Sequence, residues 1–188
     1  MVRSFAAEER LLTSRHETLQ RSKPFETGIL IAQVGPKVDT LLRFVPTPEQ
    51  EGSPAGTLDA NWILEHAMQV SRMVPGGVAV LGCYAFAATA KLSSIETKLQ
   101  PVLSKLAKQL PASASERQAV LLSLPSDAKK VACRALPIGA TRLQPIEIKA
   151  LPSAPQVGAA ARPNPSTASA CYSSRGRRSL FPTPCSWH

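Results

Sequence analysis

Runs of apolar residues and alternating apolar positions predict at least five strands along the chain. Turn residues such as Gly35-Pro36 separate them, so the first two strands form a predicted hairpin. The predicted strands span residues 27–34, 38–47, 78–84, 118–124 and 130–136. A shorter alternating run at 146–151 predicts one more strand at the end of this series.

Apolar positions three and four residues apart predict three helices, of which the second matters most for function. It spans residues 59–74, with Asp59 as its N-cap. Its predicted buried face consists of Ile63, Ala67, Val70 and Val74. His66 lies beside this apolar face, and we interpret it as a hydrogen-bonded residue at the edge of the core. We interpret Trp62 as a core residue rather than as a ligand platform.

The other two helices flank the predicted strands. One covers residues 4–22, with Ser4 as a candidate cap. The other covers residues 93–110, where Ser93 and Glu96 have the spacing of a capping box and Pro101 is expected to kink the helix.

The order of these elements, α-β-β-α-β-α-β-β, predicts an α/β (α+β layered) domain with a central mixed sheet flanked by helices. We assign residues 1–150 to this domain. Residues 151–188 are rich in Pro, Ser and Arg and show no periodicity, so we expect a disordered tail.

Charge and cysteine usage restrict the function classes only mildly. The net charge is +9, of which the four arginines of residues 151–188 account for +4. The four cysteines lie far apart without a CxxC pair, which favours a reduced, intracellular chain. No secretory signal and no apolar run of membrane-spanning length is present, so we expect a cytoplasmic chain.

The strand that follows Pro75-Gly76-Gly77 leads through Gly82-Cys83-Tyr84 into Ala85, Phe86 and Ala87. With the order of elements around it, this segment resembles the MPN fold of JAMM deubiquitinases. The resemblance implies that Ala85 and Ala87 stand where catalytic members carry two zinc-binding histidines. Neither alanine can ligate a metal, so we expect a non-catalytic domain.

The remaining positions of the catalytic pattern offer no substitute site. The resemblance implies that Ile95 and Lys98 replace its Ser and its metal-binding Asp, and that Glu26 is left as a lone carboxylate. The histidines are scattered singly, at His16, His66 and His188. We therefore expect no catalytic residue, no metal and no cofactor, with a hydrolase that uses Cys83 or an unrecognised metal as an alternative.

A more specific pattern covers the second helix and the strand after it. It consists of Trp62, His66, Gln69-Val70, Arg72-Met73 and Pro75-Gly76-Gly77, and it ends in Leu81-Gly82. With "ETGILIAQV" and "KKVACRA", it resembles the odorant-response-abnormal protein four family over residues 1–150. The resemblance implies an MPN-like, non-catalytic domain followed by a membrane anchor, and we expect this chain to be truncated before that anchor.

The same resemblance implies a function in protein contacts. Family members support folding, trafficking and localisation of a subset of G-protein-coupled receptors at the endoplasmic reticulum, and recruit a ubiquitin-fold-modifier protease to that membrane. We therefore predict an adaptor located at or near this membrane, with an MPN-like protease or receptor-trafficking machinery as its partner and no nucleic acid.

The outer face of the second helix and the turn after it form the predicted partner surface. Its residues are Glu65, Gln69, Arg72, Pro75, Gly76 and Gly77. A basic module that binds a membrane surface or nucleic acid through the arginines at 175–178 is the other alternative, and it predicts binding that weakens steeply with salt.

Overall fold

The computed structural model describes residues 4–50, 52, 56–110 and 118–152, which form a mixed sheet and three helices. The helices are α1 (Glu9–Ser22), α2 (Ala60–Ser71) and α3 (Thr89–Gln109). The strands are β1 (Ser4–Glu8), β2 (Glu26–Val34), β3 (Val38–Pro46), β4 (Val78–Ala87), β5 (Gln118–Pro125), β6 (Ala132–Pro137), β7 (Gln144–Pro145) and β8 (Ile148–Leu151).

The strands form one sheet in the order β7-β6-β5-β4-β2-β3-β1-β8. β2 runs antiparallel to β3 and β4, while β4 and β5 are parallel and are joined through α3. β7 and β8 lie at opposite edges of the sheet, although only Ile146 and Glu147 separate them along the chain. Two residues span only about 10 Å, so the sheet must curl to bring its edges together.

Helices cover both faces of the curled sheet. On one side, which we call the α2–α3 face, Ile63 of α2 and Leu99 of α3 pack against strand residues such as Ile29. On the other side, the α1 face, Leu19 packs with Phe5 and other strand residues. The predicted class, a layered α/β domain with a central mixed sheet flanked by helices, is confirmed.

The first predicted helix is wrong at its start, because residues 4–8 form β1 and α1 begins only at Glu9. β1 inserts between β3 and β8 and pairs in parallel with both, with Phe5 opposite Asp39 and Ile148. Its Phe5 and Ala7 are fully buried, and Ala6 between them is 1% exposed. A short strand buried on both sides carries no alternation, so it resembles the first turn of an apolar helix in sequence.

α3 begins at Thr89, four residues before the predicted start, and the Ser93–Glu96 capping box is wrong. Asp127, in the turn between β5 and β6, caps the helix instead. Its Oδ1 accepts hydrogen bonds from the Thr89 backbone N at 3.1 Å and from Thr89 Oγ1 at 2.5 Å. A cap supplied from 38 residues further along the chain leaves no local sequence signature.

Pro101 lies inside α3 as expected, and the kink at this position stays a prediction. The described residues contain no helix with both the length and the hydropathy needed to cross a bilayer. The predicted disordered tail lies outside the described residues beyond Pro152, so it also stays a prediction.

Candidate interaction surface

α2 is fixed at its start by the predicted cap. Asp59 Oδ1 accepts hydrogen bonds from the backbone N of Asn61 at 2.8 Å and of Trp62 at 3.2 Å. Ile63 and Ala67 are buried on the α2–α3 face, whereas Val70 and Val74 are only partly buried. The helix is therefore anchored at one end and along one face, and its opposite face is presented to solvent.

Two side chains attach α2 to the end of β3. Trp62 Nε1 donates a hydrogen bond to the Pro48 carbonyl oxygen at 2.8 Å, and His66 Nδ1 lies 3.2 Å from Thr47 Oγ1. Desolvation by burial lowers the pKa of His66, which favours the neutral ring. His66 thus lies at the edge of the core with a side-chain partner, as predicted. Trp62, predicted as a core residue, is only partly buried, and its ring is attached to the chain after β3.

All six residues of the predicted partner surface are solvent-exposed. Glu65, Gln69 and Arg72 follow the outward face of α2, and Pro75, Gly76 and Gly77 form the turn into β4. Gly77 has a φ of +84°, a conformation that glycine adopts without strain. The structure thus brings the predicted residues together on one continuous stretch of helix and turn.

The same stretch carries an apolar residue that the predicted partner surface did not include. Met73, which the sequence marked only as part of the family pattern, is 82% exposed. Beside it, a groove of about 260 Å³ opens between the turn and the end of α3. Its apolar lining includes Val74, Pro75, Val78, Val80, Leu106 and Leu110. An exposed methionine beside an apolar groove is typical of a surface that binds another protein.

The strand end that resembles a catalytic site is closed. Ala85 is 0% and Ala87 1% exposed, and both belong to the core cluster that contains Leu92 and Ile95 of α3. α3 therefore packs directly over the two alanines that the resemblance to the MPN fold would place at zinc-ligand positions. Within the described residues, no group of three His, Cys, Asp or Glu side chains is arranged to hold a metal ion.

Glu26 lies on the opposite face of the sheet from these alanines. It pairs with Phe86 in the antiparallel β2–β4 ladder, so its side chain shares the α1 face with Phe86 and Tyr84. There Glu26 Oε1 accepts a hydrogen bond from Tyr84 Oη at 2.5 Å and another from Arg15 of α1. Glu26 thus attaches α1 to the sheet. The Glu26 carboxylate cannot reach the face of the sheet on which Ala85 and Ala87 lie.

Tyr84 completes this buried network. Arg15 Nη2 also donates to Tyr84 Oη at 3.0 Å, and the Tyr84 ring lies so close to Gly28 that a Cβ there would come within 2.6 Å of it. Burial, reinforced by the hydrogen bond to Glu26, raises the pKa of Tyr84, so the phenol remains a donor. Sequence analysis singled out Glu26 and Tyr84 separately and missed Arg15.

Cys83 is a poor candidate nucleophile in this setting. Its side chain is fully buried on the α2–α3 face, and burial raises the pKa of its thiol to about 12. A thiol that is neither ionised nor accessible cannot attack a substrate. The structure therefore does not support Cys83 as the nucleophile of the hydrolase alternative.

Comparison with known proteins identifies the family. A family model described as Odorant response abnormal 4-like matches residues 28–159, which include α2, the Pro75–Gly77 turn and β4. The chain belongs to this family. The resemblance inferred from the Trp62-to-Gly82 pattern is thereby confirmed.

Curated relatives from vertebrates agree with this assignment. A protein named Protein odr-4 homolog from Gallus gallus is 29% identical over 149 residues, which cover 71% of this chain and 33% of the relative. The Mus musculus protein of the same name is 29% identical over 152 residues, 71% of this chain and 34% of the relative. The chain thus spans about a third of the length of these relatives.

One solved structure aligns over much of the fold. The solution structure of a Desulfitobacterium hafniense protein covers 79% of this chain and 95% of its own, with a TM-score of 0.47 and 16% identity.

In this Odorant response abnormal 4-like chain, replacing Glu26 by alanine is expected to lower the free energy of unfolding by about 3 kcal/mol. The Glu26 side chain is 9% exposed, and its removal leaves the Arg15 guanidinium and the Tyr84 hydroxyl without their shared acceptor. Urea denaturation of the full chain measures the change. The matched control is Glu49→Ala, since the Glu49 side chain is 78% exposed and its ion pair with Lys23 is long, at 3.8 Å.

The control variant is expected to change stability by less than about 0.5 kcal/mol. Equal stability losses in the two variants would contradict the network described here.

Proposed function

We propose that this chain is a non-catalytic adaptor that acts through protein–protein contacts in the folding, trafficking and localisation of a subset of G-protein-coupled receptors. Its site of action is the cytoplasmic side of the endoplasmic-reticulum membrane. The observation that carries the proposal is membership of the Odorant response abnormal 4-like family over residues 28–159.

The described fold supports a non-catalytic role. An MPN-like enzyme would need metal ligands at the end of β4, whereas Ala85 and Ala87 lie there beneath α3. Glu26, which the resemblance to catalytic MPN domains would assign as the general base, is bound by Arg15 and Tyr84 on the other face. The fold thus retains a layered α/β scaffold whose candidate reaction centre is used for packing.

The partner that fits the proposal is an MPN-like protein such as a ubiquitin-fold-modifier-specific protease. Its contact surface on this chain is the exposed side of α2 with the Pro75–Gly77 turn, extended by Met73. This surface combines an apolar anchor with charged and polar residues around it, which is the composition of a protein–protein contact.

Pull-down or calorimetry with a purified ubiquitin-fold-modifier-specific protease tests both the partner and the surface. Replacing Gln69 by Ala and Arg72 by Glu together is expected to weaken binding about tenfold or more, because an exposed cation is reversed at the centre of the contact. The matched control replaces Gln33 by Ala and Arg21 by Glu, which are both exposed but lie on β2 and α1.

The control is expected to bind within about twofold of the unchanged chain. Binding that survives the α2 changes would exclude this surface, and absence of binding by the unchanged chain would exclude this class of partner.

A further inference from the structure

The outward side of α3 carries a line of exposed lysines. Lys91, Lys98 and Lys105 follow one another at intervals of seven residues, and Lys108 lies one turn beyond the last of them. Seven residues make almost two full helical turns, so these side chains drift by only about 20° per step. Lys91, Lys98 and Lys105 therefore stand about 10.5 Å apart along the helix axis, and Lys108 lies about 4.5 Å beyond Lys105. We call these four residues the lysine stripe.

No acidic side chain of α3 neutralises the lysine stripe. The only acid in α3 is Glu96, which is 7% exposed and points toward the sheet. It accepts a hydrogen bond from Ser123 Oγ at 2.9 Å and pairs with Arg134. Within the part of the chain that the structure describes, no carboxylate lies within 4.0 Å of any of the four lysine ammonium groups.

Apart from Lys108, which lies favourably in the last turn of α3 near the negative end of the helix dipole, the stripe contributes little to the stability of the helix. Lys105 and Lys108 are three residues apart, a spacing at which like charges repel by a few tenths of a kcal/mol. Charges of alternating sign along a helix face indicate an exposed helix whose side chains pair with one another, and α3 lacks this pattern. A one-sign line without internal partners is instead a surface that attracts an anionic partner and guides its approach.

The stripe is narrow, and this favours one class of partner. The neighbouring helix α2 exposes Glu65 as well as Arg72, so the positive charge does not extend onto the α2 side of α3. On the other side, Gln100 of α3 contacts the loop that carries the exposed Arg142. An anionic membrane surface would contact cations spread over a broad area of the protein. An acidic helix would contact cations arranged in one line. On a partner helix, residues seven apart are also separated by about 10.5 Å along the helix axis, which matches the spacing of Lys91, Lys98 and Lys105.

We propose that the lysine stripe is a docking surface for an acidic helix of a partner protein. Glutamate or aspartate side chains at seven-residue intervals on that helix would pair with Lys91, Lys98 and Lys105. The end of the stripe adjoins the groove that includes Leu106 and Leu110, so an apolar residue at the corresponding end of the partner helix would be accommodated there. The groove is shared with the Pro75–Gly77 turn, whereas the lysines themselves lie on α3 and not on the exposed face of α2. The proposal does not depend on the proposed receptor-trafficking role.

The test measures binding of two labelled helical peptides to the full chain by fluorescence anisotropy. Both contain the same Ala, Gln and Glu residues and are about as long as α3. One places its glutamates at seven-residue intervals on one side, and the other distributes them around the helix. At about 50 mM salt, the first is expected to bind about tenfold more tightly, and this preference is expected to decrease at about 300 mM salt.

Matched variants locate the binding on α3. Replacing Lys98 and Lys105 by Glu is expected to weaken binding of the first peptide about tenfold or more, with an unchanged thermal midpoint as the check on folding. Lys37→Glu with Lys149→Glu makes the same change in net charge at exposed positions outside α3, and is expected to weaken binding less than about twofold. The Gln69→Ala, Arg72→Glu variant separates this surface from that on α2 and is expected to retain peptide binding.

Three results would overturn the proposal. The first is no binding of the unchanged chain to either peptide at low salt, and the second is equal binding of the two peptides. The third is binding to vesicles that contain phosphatidylserine, lost in the Lys98→Glu, Lys105→Glu variant, without preference between the peptides. That third result would assign the stripe to a membrane surface.

Discussion

Replacing Gly82 by alanine is expected to lower the free energy of unfolding by about 4 kcal/mol or more, enough to unfold much of the population. A Cβ on Gly82 would lie 1.8 Å from the Val120 carbonyl oxygen and 2.7 Å from the Val120 C and N atoms. These are backbone atoms of the neighbouring parallel strand, with which Gly82 is in register. No rotamer change relieves such a contact, so β4 and β5 would have to separate.

Urea denaturation followed by far-ultraviolet circular dichroism measures this loss. The matched control is Gly76→Ala, because a Cβ on Gly76 would meet no atom within 4 Å. That variant is expected to stay within about 0.5 kcal/mol of the unchanged chain. A Gly82→Ala variant as stable as this control would show that β4 and β5 are further apart here than the structure places them.

Gly82 also marks the point at which sequence periodicity fails. Leu81 packs on the α1 face and Cys83 on the α2–α3 face, although residues two apart in a regular strand share a face. The register of β2 against β4 shifts at this point. After a bulge, each side chain of the strand points to the opposite face from the one that alternation predicts. Alternation alone therefore could not show on which face of the sheet Ala85 and Ala87 lie.

Elements with local signals were predicted well. The β2–β3 hairpin has a Gly-Pro turn between two apolar runs, and α2 has Asp59 before its apolar face; both are confirmed. Elements that depend on residues far away in the sequence were predicted poorly. β1 is a strand because β3 and β8 lie on either side of it, and α3 begins at Thr89 because Asp127 reaches it from another turn.

In the candidate site too, features with a local sequence signal were predicted and features that depend on distant contacts were not. Exposure of Glu65 and Gln69 follows from helical periodicity, which sequence contains. The buried network depends on contacts between Glu26 and residues 11 and 58 positions away, Arg15 and Tyr84, and no local pattern indicates them. The lysine stripe was present as a seven-residue spacing, but its significance depends on Glu96 pointing inward, which only the packing of α3 against β5 and β6 determines.

Introducing histidines at both Ala85 and Ala87 is expected to destabilise the fold by about 4 kcal/mol or more and to yield no zinc site. The two alanine side chains are fully covered by α3, so imidazoles would displace Leu92 and Ile95 from the core. Urea denaturation and elemental analysis after zinc loading and dialysis measure the two outcomes. Ala90→His with Ala150→His, both at exposed positions, is the matched control and is expected to change stability by less than about 1 kcal/mol.

Two further positions explain why histidines alone would not restore a reaction centre. Lys98, which the resemblance to the MPN fold would place at the position of the metal-binding Asp, is exposed to solvent on α3. Glu26 is separated from the alanines by the sheet itself and is already paired with Arg15. A folded double variant that retains one zinc per chain would contradict this account. Without such a result, the small side chains at Ala85 and Ala87 are best explained by the close packing of α3 on β4, which also holds the lysine stripe facing outward.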